Sequence, residues 1–406
     1  MSESVRLLRN GFIRAVMIST LFSQMGIWVR NFSVLLYVME VTGGDSFAVS
    51  MISVAEYAPI FIFSFLGGVF ADRWRPKKTM VWCECLSSLS VFIVFALLEN
   101  GTWQAVFFAT LCSSILSQFA QPSGMKLFKN HVRDEDAQSC MSLLQTLTSV
   151  FMVAGPMLGT FVYEQFGIEA SLLATGACFL LSALALVFVP SGQEPPKSRE
   201  SHSIFREMTE GIRYMFADRL LLKLSLCFAL AGLGVGLIAP LHIFLVTERL
   251  DLPAEALKWI SIPYGIGEIA GGIATFALAA RIAPRRFLVV GLLVNGAGIM
   301  LAGLSTAVWL TMAAQFVIAL LQPAIFVGNN ALVMQHTGPN YIGRVMGIRT
   351  PLMTGAMLLG MSAAGALKIA LSLTVVYVLA GCCFIAGILI MLPFFRSKGE
   401  WEQSEA

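Results

Sequence analysis

The feature that constrains this chain most is a succession of apolar runs, each about as long as a bilayer is thick. A membrane-crossing helix takes ~20 mostly apolar residues. Applied along the 406 residues, that length gives about twelve runs. Six come first, at roughly 12–39, 47–71, 79–98, 103–122, 138–163 and 169–190. After a polar stretch, six more follow at roughly 220–247, 257–280, 287–304, 307–334, 347–369 and 372–394. Only 13% of the residues are charged and 57% are hydrophobic, so the polar surface that a water-soluble fold of this size requires is missing. Aqueous enzymes, nucleic-acid binders and disordered proteins are excluded as classes. The expected fold is an all-α membrane protein with twelve transmembrane helices in two six-helix bundles, at 1–190 and 219–395. A linker at 191–218 joins the bundles, and a short tail at 396–406 closes the chain.

The first run follows Arg6, Arg9 and Arg14 but continues to about Met39, too far for the core of a signal peptide. It reads as a retained first span. The eight cysteines form no CxxC or Cys/His ligand spacing and read as small packing residues. Neither a metal nor a cofactor is expected.

Lys and Arg fix the orientation. With the N-terminus inside, cytoplasmic segments take nearly all of them, including Arg73, Arg75, Lys77, Lys78, Lys126, Lys129, Arg133, Arg281, Arg285 and Arg286. External segments keep Arg249, Lys258 and Lys368. That asymmetry predicts a cell-membrane protein with both termini cytoplasmic. Trp103, Trp259 and Trp309 fall near outer span ends, where aromatic belts form.

An internal repeat links the halves. The loop after the second span reads Asp72-Arg73-Trp74-Arg75-Pro76-Lys77-Lys78, and the loop after the eighth reads Ala280-Arg281-Ile282-Ala283-Pro284-Arg285-Arg286. The arginine, the proline and the two basic residues align without a gap. Spans four and ten also correspond, with Trp103 and Trp309 at the start and Gln121-Pro122 and Gln322-Pro323 near the end. Parallel repeats of this kind build many secondary transporters, with the site between the halves near the midplane.

At these residues the chain resembles the major facilitator superfamily. Gly68-x-x-x-Asp72-Arg73-x-x-x-Lys77-Lys78 is similar to that superfamily's signature loop. Ala154-Gly155-Pro156-Met157-Leu158-Gly159 resembles the Gly-Pro motif of its antiporters. Gln121-Pro122-Ser123, Gln335 and Gly343-Arg344-Val345 resemble the branch of macrolide-efflux and enterobactin-exporter proteins. There are departures: Arg75 and Pro76 stand where the superfamily usually has Gly and Arg, and the upstream glycines of the antiporter motif are absent. The resemblance implies two pseudo-symmetric bundles that rock about a central site. It also implies a conformational latch at Asp72, Arg73, Lys77 and Lys78, and an antiporter-type motif at Gly155, Pro156 and Gly159. The central cavity would be lined from spans four and ten, where Ser114, Gln118, Gln121, Gln315, Gln322 and Asn329 recur at helical spacing. Interhelical hydrogen bonding accounts for such residues equally well.

Ionisable groups within spans are costly and are functional candidates by default. Arg30 lies in span one, Glu56 in span two and Glu268 in span eight. Arg30 and Glu56 are equally far from the first outer loop, and a rise of 1.5 Å per residue puts both ~20 Å deep, where they can pair. Glu268 also falls near mid-depth. A carboxyl that alternates between an apolar setting and a nearby cation takes up a proton in one and releases it in the other. Proton-coupled exchange needs that property. Glu84, nearer the inner end of span three, is expected to pair with the basic loop, and His242 reads as a packing residue. The sequence therefore predicts a monomeric secondary transporter in the lipid bilayer. It would export a small hydrophobic or amphipathic molecule, such as a drug, macrolide or siderophore, in exchange for protons, with sodium as the alternative ion. Uptake, lipid translocation, and a non-transporting receptor or partner subunit are the rival readings.

Overall fold

The computed structural model of the chain describes residues 10–98, 103–132, 134–189, 212–278, 281–338 and 341–396. Among these the regular elements are all helical. The first six spans are α1 (Gly11–Val41), α2 (Ser46–Arg73), α3 (Pro76–Leu98), α4 (Val106–His131), α5 (134–166) and α6 (168–187). The second six are α7 (Arg219–Ile238), α8 (Leu257–Leu278), α9 (Pro284–Leu304), α10 (Val308–His336), α11 (Ile342–Leu371) and α12 (Leu373–Arg396). Ten stretches of the described residues are long and apolar enough to cross a membrane. One of these, at 146–187, contains two spans, and α8, diluted by glycines and Glu268, completes the twelve.

Local chemistry sets the helix ends. Asn10 caps α1, its side chain accepting from the Phe12 backbone N–H at 2.9 Å. Asp218 caps α7 in the same way, accepting from Leu220 at 2.7 Å and Leu221 at 3.3 Å. Such caps satisfy backbone donors that a helix start leaves without partners. Pro76 and Pro284, the prolines of the repeated loop, open α3 and α9. A fixed φ and a missing N–H suit proline to that first position, which explains its recurrence. At Gly167 the backbone turns to φ 72°, a left-handed conformation that glycine adopts without strain, and there α5 gives way to α6. Past Ile238, α7 continues through a 3-10 turn at Pro240 and a π turn over Leu245–Arg249. Lys368 of α11 pairs with Glu248 of that extension at 2.6 Å.

The chain forms two compact units, Met1–Arg199 and Glu200–Ala406. The expected linker at 191–218 lies outside the described residues as far as residue 211, and so does the tail from 397. In the first unit α1 packs on α5 and α6, α2 on α4, and α3 on both α4 and α6. In the second, α7 packs on α11 and α12, α8 on α10, and α9 on both α10 and α12. Helix for helix, the pairing is the same. The repeat visible in two loops thus extends through the internal packing of both units.

Small residues allow these contacts. A Cβ on Gly155 of α5 would run into the indole of Trp28 on α1, and one on Gly159 would meet Phe32 and the Trp28 carbonyl at 2.7 Å. In the second unit a Cβ on Gly236 of α7 would strike the backbone carbonyl of Met357 on α11. In lipid, where apolar burial gives little drive between helices, such close approach is a main source of association. Gly236→Leu is therefore expected to lower the melting temperature of the detergent-purified protein by about 2–7 °C, from an overpacking cost of ~1–3 kcal/mol. Gly272→Ala, where nothing lies within 4 Å, serves as the control and should melt like the parent. Equal melting of all three would contradict the packing account.

Candidate functional site

The first span carries a polar cluster at mid-depth. Arg30 is only 3% exposed, and its guanidinium donates to the side-chain oxygen of Asn31 from Nε at 3.1 Å and from Nη2 at 2.8 Å. Nη1 donates to the Ser113 hydroxyl of α4. The amide nitrogen of Asn31 donates in turn to Glu56 Oε1 of α2 at 3.0 Å. Asn31 therefore stands between the two charges, with its acceptor turned to the cation and its donor to the carboxylate. Each charge sunk in a poorly solvating medium receives hydrogen bonds in place of water.

Arg30 and Glu56 line one cavity of about 330 Å³ within the first unit. Helices α1, α2, α3, α4 and α6 all contribute to it. Its wall is rich in hydroxyls, including Ser23, Ser87, Ser114 and Ser117, with Gln24 and Gln121 adding amides. Ile27, Ile60, Leu116 and Phe179 supply apolar surface. Glu84 of α3 lines the same space, and Ser23 and Ser182 face its carboxylate, in place of the basic loop expected as its partner. Lys77 of that loop is instead turned to the end of α6, where its Nζ donates to the carbonyl oxygens of Val187 at 2.8 Å and Val189 at 2.6 Å. A cation at those last carbonyls also meets the negative end of the helix dipole.

The other candidates take several roles. Ser114 and Gln121 line the cavity, while Gln118 bonds within its own helix, donating to the Ser114 carbonyl at 3.3 Å and the Ser117 hydroxyl at 3.0 Å. Gln315 is buried, and Gln322 accepts from the Tyr264 hydroxyl of α8 at 2.7 Å. Asn329 is wholly buried and donates to the Leu224 carbonyl of α7 at 3.1 Å. Glu268 is half-buried on α8, with no hydrogen-bond partner among the described residues. Pro156 lies inside α5 between Gly155 and Gly159. Lys78 is exposed; Asp72 and Arg73 end α2, and their side chains lie outside the described residues.

Three features escape a reading of the sequence. Asn31 carries no charge and sits in an apolar run, so a scan for ionisable groups passes over it. Gln24 and the serines of α1 and α3 show no pattern until the helices are assembled around the cavity. Arg349, at the edge of the eleventh run, looks like a flanking basic residue, yet it is only 1% exposed. Its guanidinium donates to the side-chain oxygens of Asn329 and, at 3.3 Å, of Asn330, and it lies 5.2 Å from the Phe228 ring centroid. The adjacent asparagines of span ten were the available signal.

Because Asn31 serves two charges at once, Asn31→Leu strips an acceptor from Arg30 and a donor from Glu56. Leaving buried polar groups short of partners costs roughly 1–3 kcal/mol. Thermal unfolding in detergent should show this variant to be several degrees less stable. A melting curve that matches the parent would contradict the bridging role.

Comparison with known proteins agrees with this architecture. The model of the Major Facilitator Superfamily matches residues 16–279 and 224–405. The chain is 24% identical over 357 residues to the uncharacterized MFS-type transporter YkuC of Bacillus subtilis, covering 84% of this chain and 82% of that protein. It is 22% identical over 341 residues to macrolide efflux protein A of Streptococcus pyogenes, covering 82% and 83%. Similarity to the multi-drug resistance efflux pump PmrA of Streptococcus pneumoniae is 24% over 232 residues, or 57% and 56% of the two chains. Among solved structures, a point mutant of the nucleoside transporter NupG superposes with a TM-score of 0.74 at 14% identity, covering 95% of this chain and all of that one. A bacterial homologue of the lysosomal transporter Spinster gives 0.68 at 12% identity, with 94% of each chain covered. The chain belongs to the major facilitator superfamily of membrane transporters.

Proposed function

We propose that the protein is a proton-coupled exporter of a small hydrophobic or amphipathic molecule, working by alternating access in the cell membrane with both termini in the cytoplasm. The observation that carries this reading is the Glu56 carboxylate, which lines a hydroxyl-rich cavity and shares Asn31 with a buried arginine. A carboxylate tied to a cation through a neutral amide can be released from it by a small displacement, and protonation then becomes favourable. A group with two such settings converts a proton gradient into a bias between conformations. Glu268 is proposed as the second exchanging acid, since its half-buried carboxyl has no hydrogen-bond partner among the described residues.

Export is favoured over uptake by relatives named for macrolide efflux and for multi-drug efflux. The Gly155 and Gly159 contacts with Trp28 and Phe32 support a role for α5 in holding α1, and with it Arg30 and Asn31, in position. For the loop after α2, Asp72, Arg73 and Lys78 are proposed as the latch between conformational states. Lys77 fastens that loop to α6 through Val187 and Val189.

Proteoliposomes containing the full chain provide the test, with labelled erythromycin and ethidium as probes and an imposed pH gradient as the driving force. Gradient-driven movement of at least one probe is expected, and Glu56→Gln and Glu268→Gln should each reduce it about tenfold or more. Full activity in both variants, or no gradient-driven movement of either probe by the parent, would overturn the proposal. For the latch, Asp72→Asn should slow driven transport severalfold without lowering the amount of protein in the membrane. Unchanged kinetics would remove that assignment.

A further inference from the structure

We infer that the cavity of the first unit is a proton path inside a single bundle, and that Glu84 is its second carboxylate station, passing protons to and from Glu56. The inference rests on the proton-coupled reading of Glu56 and adds the route by which the proton arrives. Both carboxylates line the same cavity, from α2 and α3, which are consecutive in the chain. Glu84 lies near the loop end of α3 and Glu56 well up α2. At 1.5 Å per residue their depths differ by ~14 Å, too far for direct transfer. The space between them fits a relay. Ser23, Ser87 and Ser114 line it, and each of these hydroxyls can accept one proton while donating another; the Ser117 hydroxyl, also in the wall, is held by the Ser114 carbonyl and the Gln118 amide. A volume of about 330 Å³ has room for on the order of ten water molecules.

The partners of Glu84 suit this role. A carboxylate paired directly with a cation is held in its charged form. Glu84 faces the hydroxyls of Ser23 and Ser182, while Lys77 of the nearby loop is bonded to the Val187 and Val189 carbonyls. Hydroxyl partners accept either state of the acid, because they donate to the carboxylate and accept from the protonated form. The charged or titratable groups that share the cavity are Arg30 of α1, Glu56 of α2 and Cys83 of α3. Among the described residues, α4 and α6 present hydroxyls, an amide and apolar groups to it. The step is balanced without a further reactant: a hydronium protonates Glu84, the Glu84 carboxyl gives its proton to the water and hydroxyl chain, and the chain delivers one proton to the Glu56 carboxylate. The proton would thus travel inside one bundle.

Time-resolved infrared spectroscopy of the full-length, substrate-free protein in nanodiscs tests the path, following the protonated-carboxyl band after a rapid drop in pH. Glu56→Gln identifies the Glu56 component of that band. In Glu84→Gln the Glu56 component should rise about tenfold more slowly than in the parent, while its final amplitude is retained. Glu84→Asp should restore the rate to within about twofold. A purely structural Glu84 predicts the parent rate in the glutamine variant, and that result would overturn the inference. Should Glu84→Gln fail to fold, Ser23→Ala keeps both carboxylates and is expected to slow the same step about threefold; the parent rate there would overturn it equally. The two readings fail separately. Fast protonation of Glu56 through Glu84 with no gradient-driven movement of erythromycin or ethidium would remove proton-coupled export and leave the path. Driven transport in a Glu84→Gln protein that protonates Glu56 at the parent rate would remove the path and leave the export.

Discussion

A charge within a bilayer is cut off from bulk water, so the protein must supply much of its solvation from its own groups. That constraint shapes the centre of the first unit. Arg30 and Glu56 are held by one shared amide, Asn31, whose oxygen and nitrogen point to the correct partners, and Ser113 completes the shell around the arginine. The arrangement requires α1, α2 and α4 to meet at one depth. The glycines of α5 help by letting α1 approach closely through Trp28 and Phe32, beside Arg30 and Asn31 in the chain. Close packing and charge solvation therefore depend on each other here. A bulky residue at Gly155 would displace the helix that carries the arginine, and loss of Asn31 would leave two charges under-solvated on a well-packed scaffold.

The two units share a packing plan and differ in chemistry. Helix pairing repeats from one to the other, and the repeated prolines Pro76 and Pro284 open corresponding helices. In the register that aligns Arg73 with Arg281, the counterpart of Glu56 is Tyr264, one turn before Glu268. Tyr264 bonds to Gln322, and the buried cation of the second unit, Arg349, rests on two asparagines and a phenylalanine ring. Carboxylates gather around a cavity in the first unit, whereas in the second the cation donates to two neutral amides. A duplicated scaffold can diverge in this way because backbone packing depends on small residues at contact points. The polar side chains are then free to specialise.

The fold was legible because each of its determinants is local. Span length and the repeated loop with Pro76 and Pro284 can both be read without knowing which helix touches which. The common depth of Arg30 and Glu56 followed from counting residues across one tight loop. The content of the site was less legible, because it depends on how helices rotate against one another. Counting residues cannot place Asn31 between the charges or send Lys77 to the end of α6. It also cannot gather the serines of α1, α3 and α4 around one space. For Asn329 and Gln118, where the spacing fits cavity lining and hydrogen bonding equally, the amides are bonded to backbone carbonyls.

The central claim is that Glu56 exchanges its proton as the carrier binds and releases its cargo. Proton release on adding erythromycin to the purified protein in weakly buffered solution measures this most directly. The account predicts a release that scales with bound erythromycin and disappears in Glu56→Gln while binding itself persists. Identical proton release from the parent and the glutamine variant would contradict it.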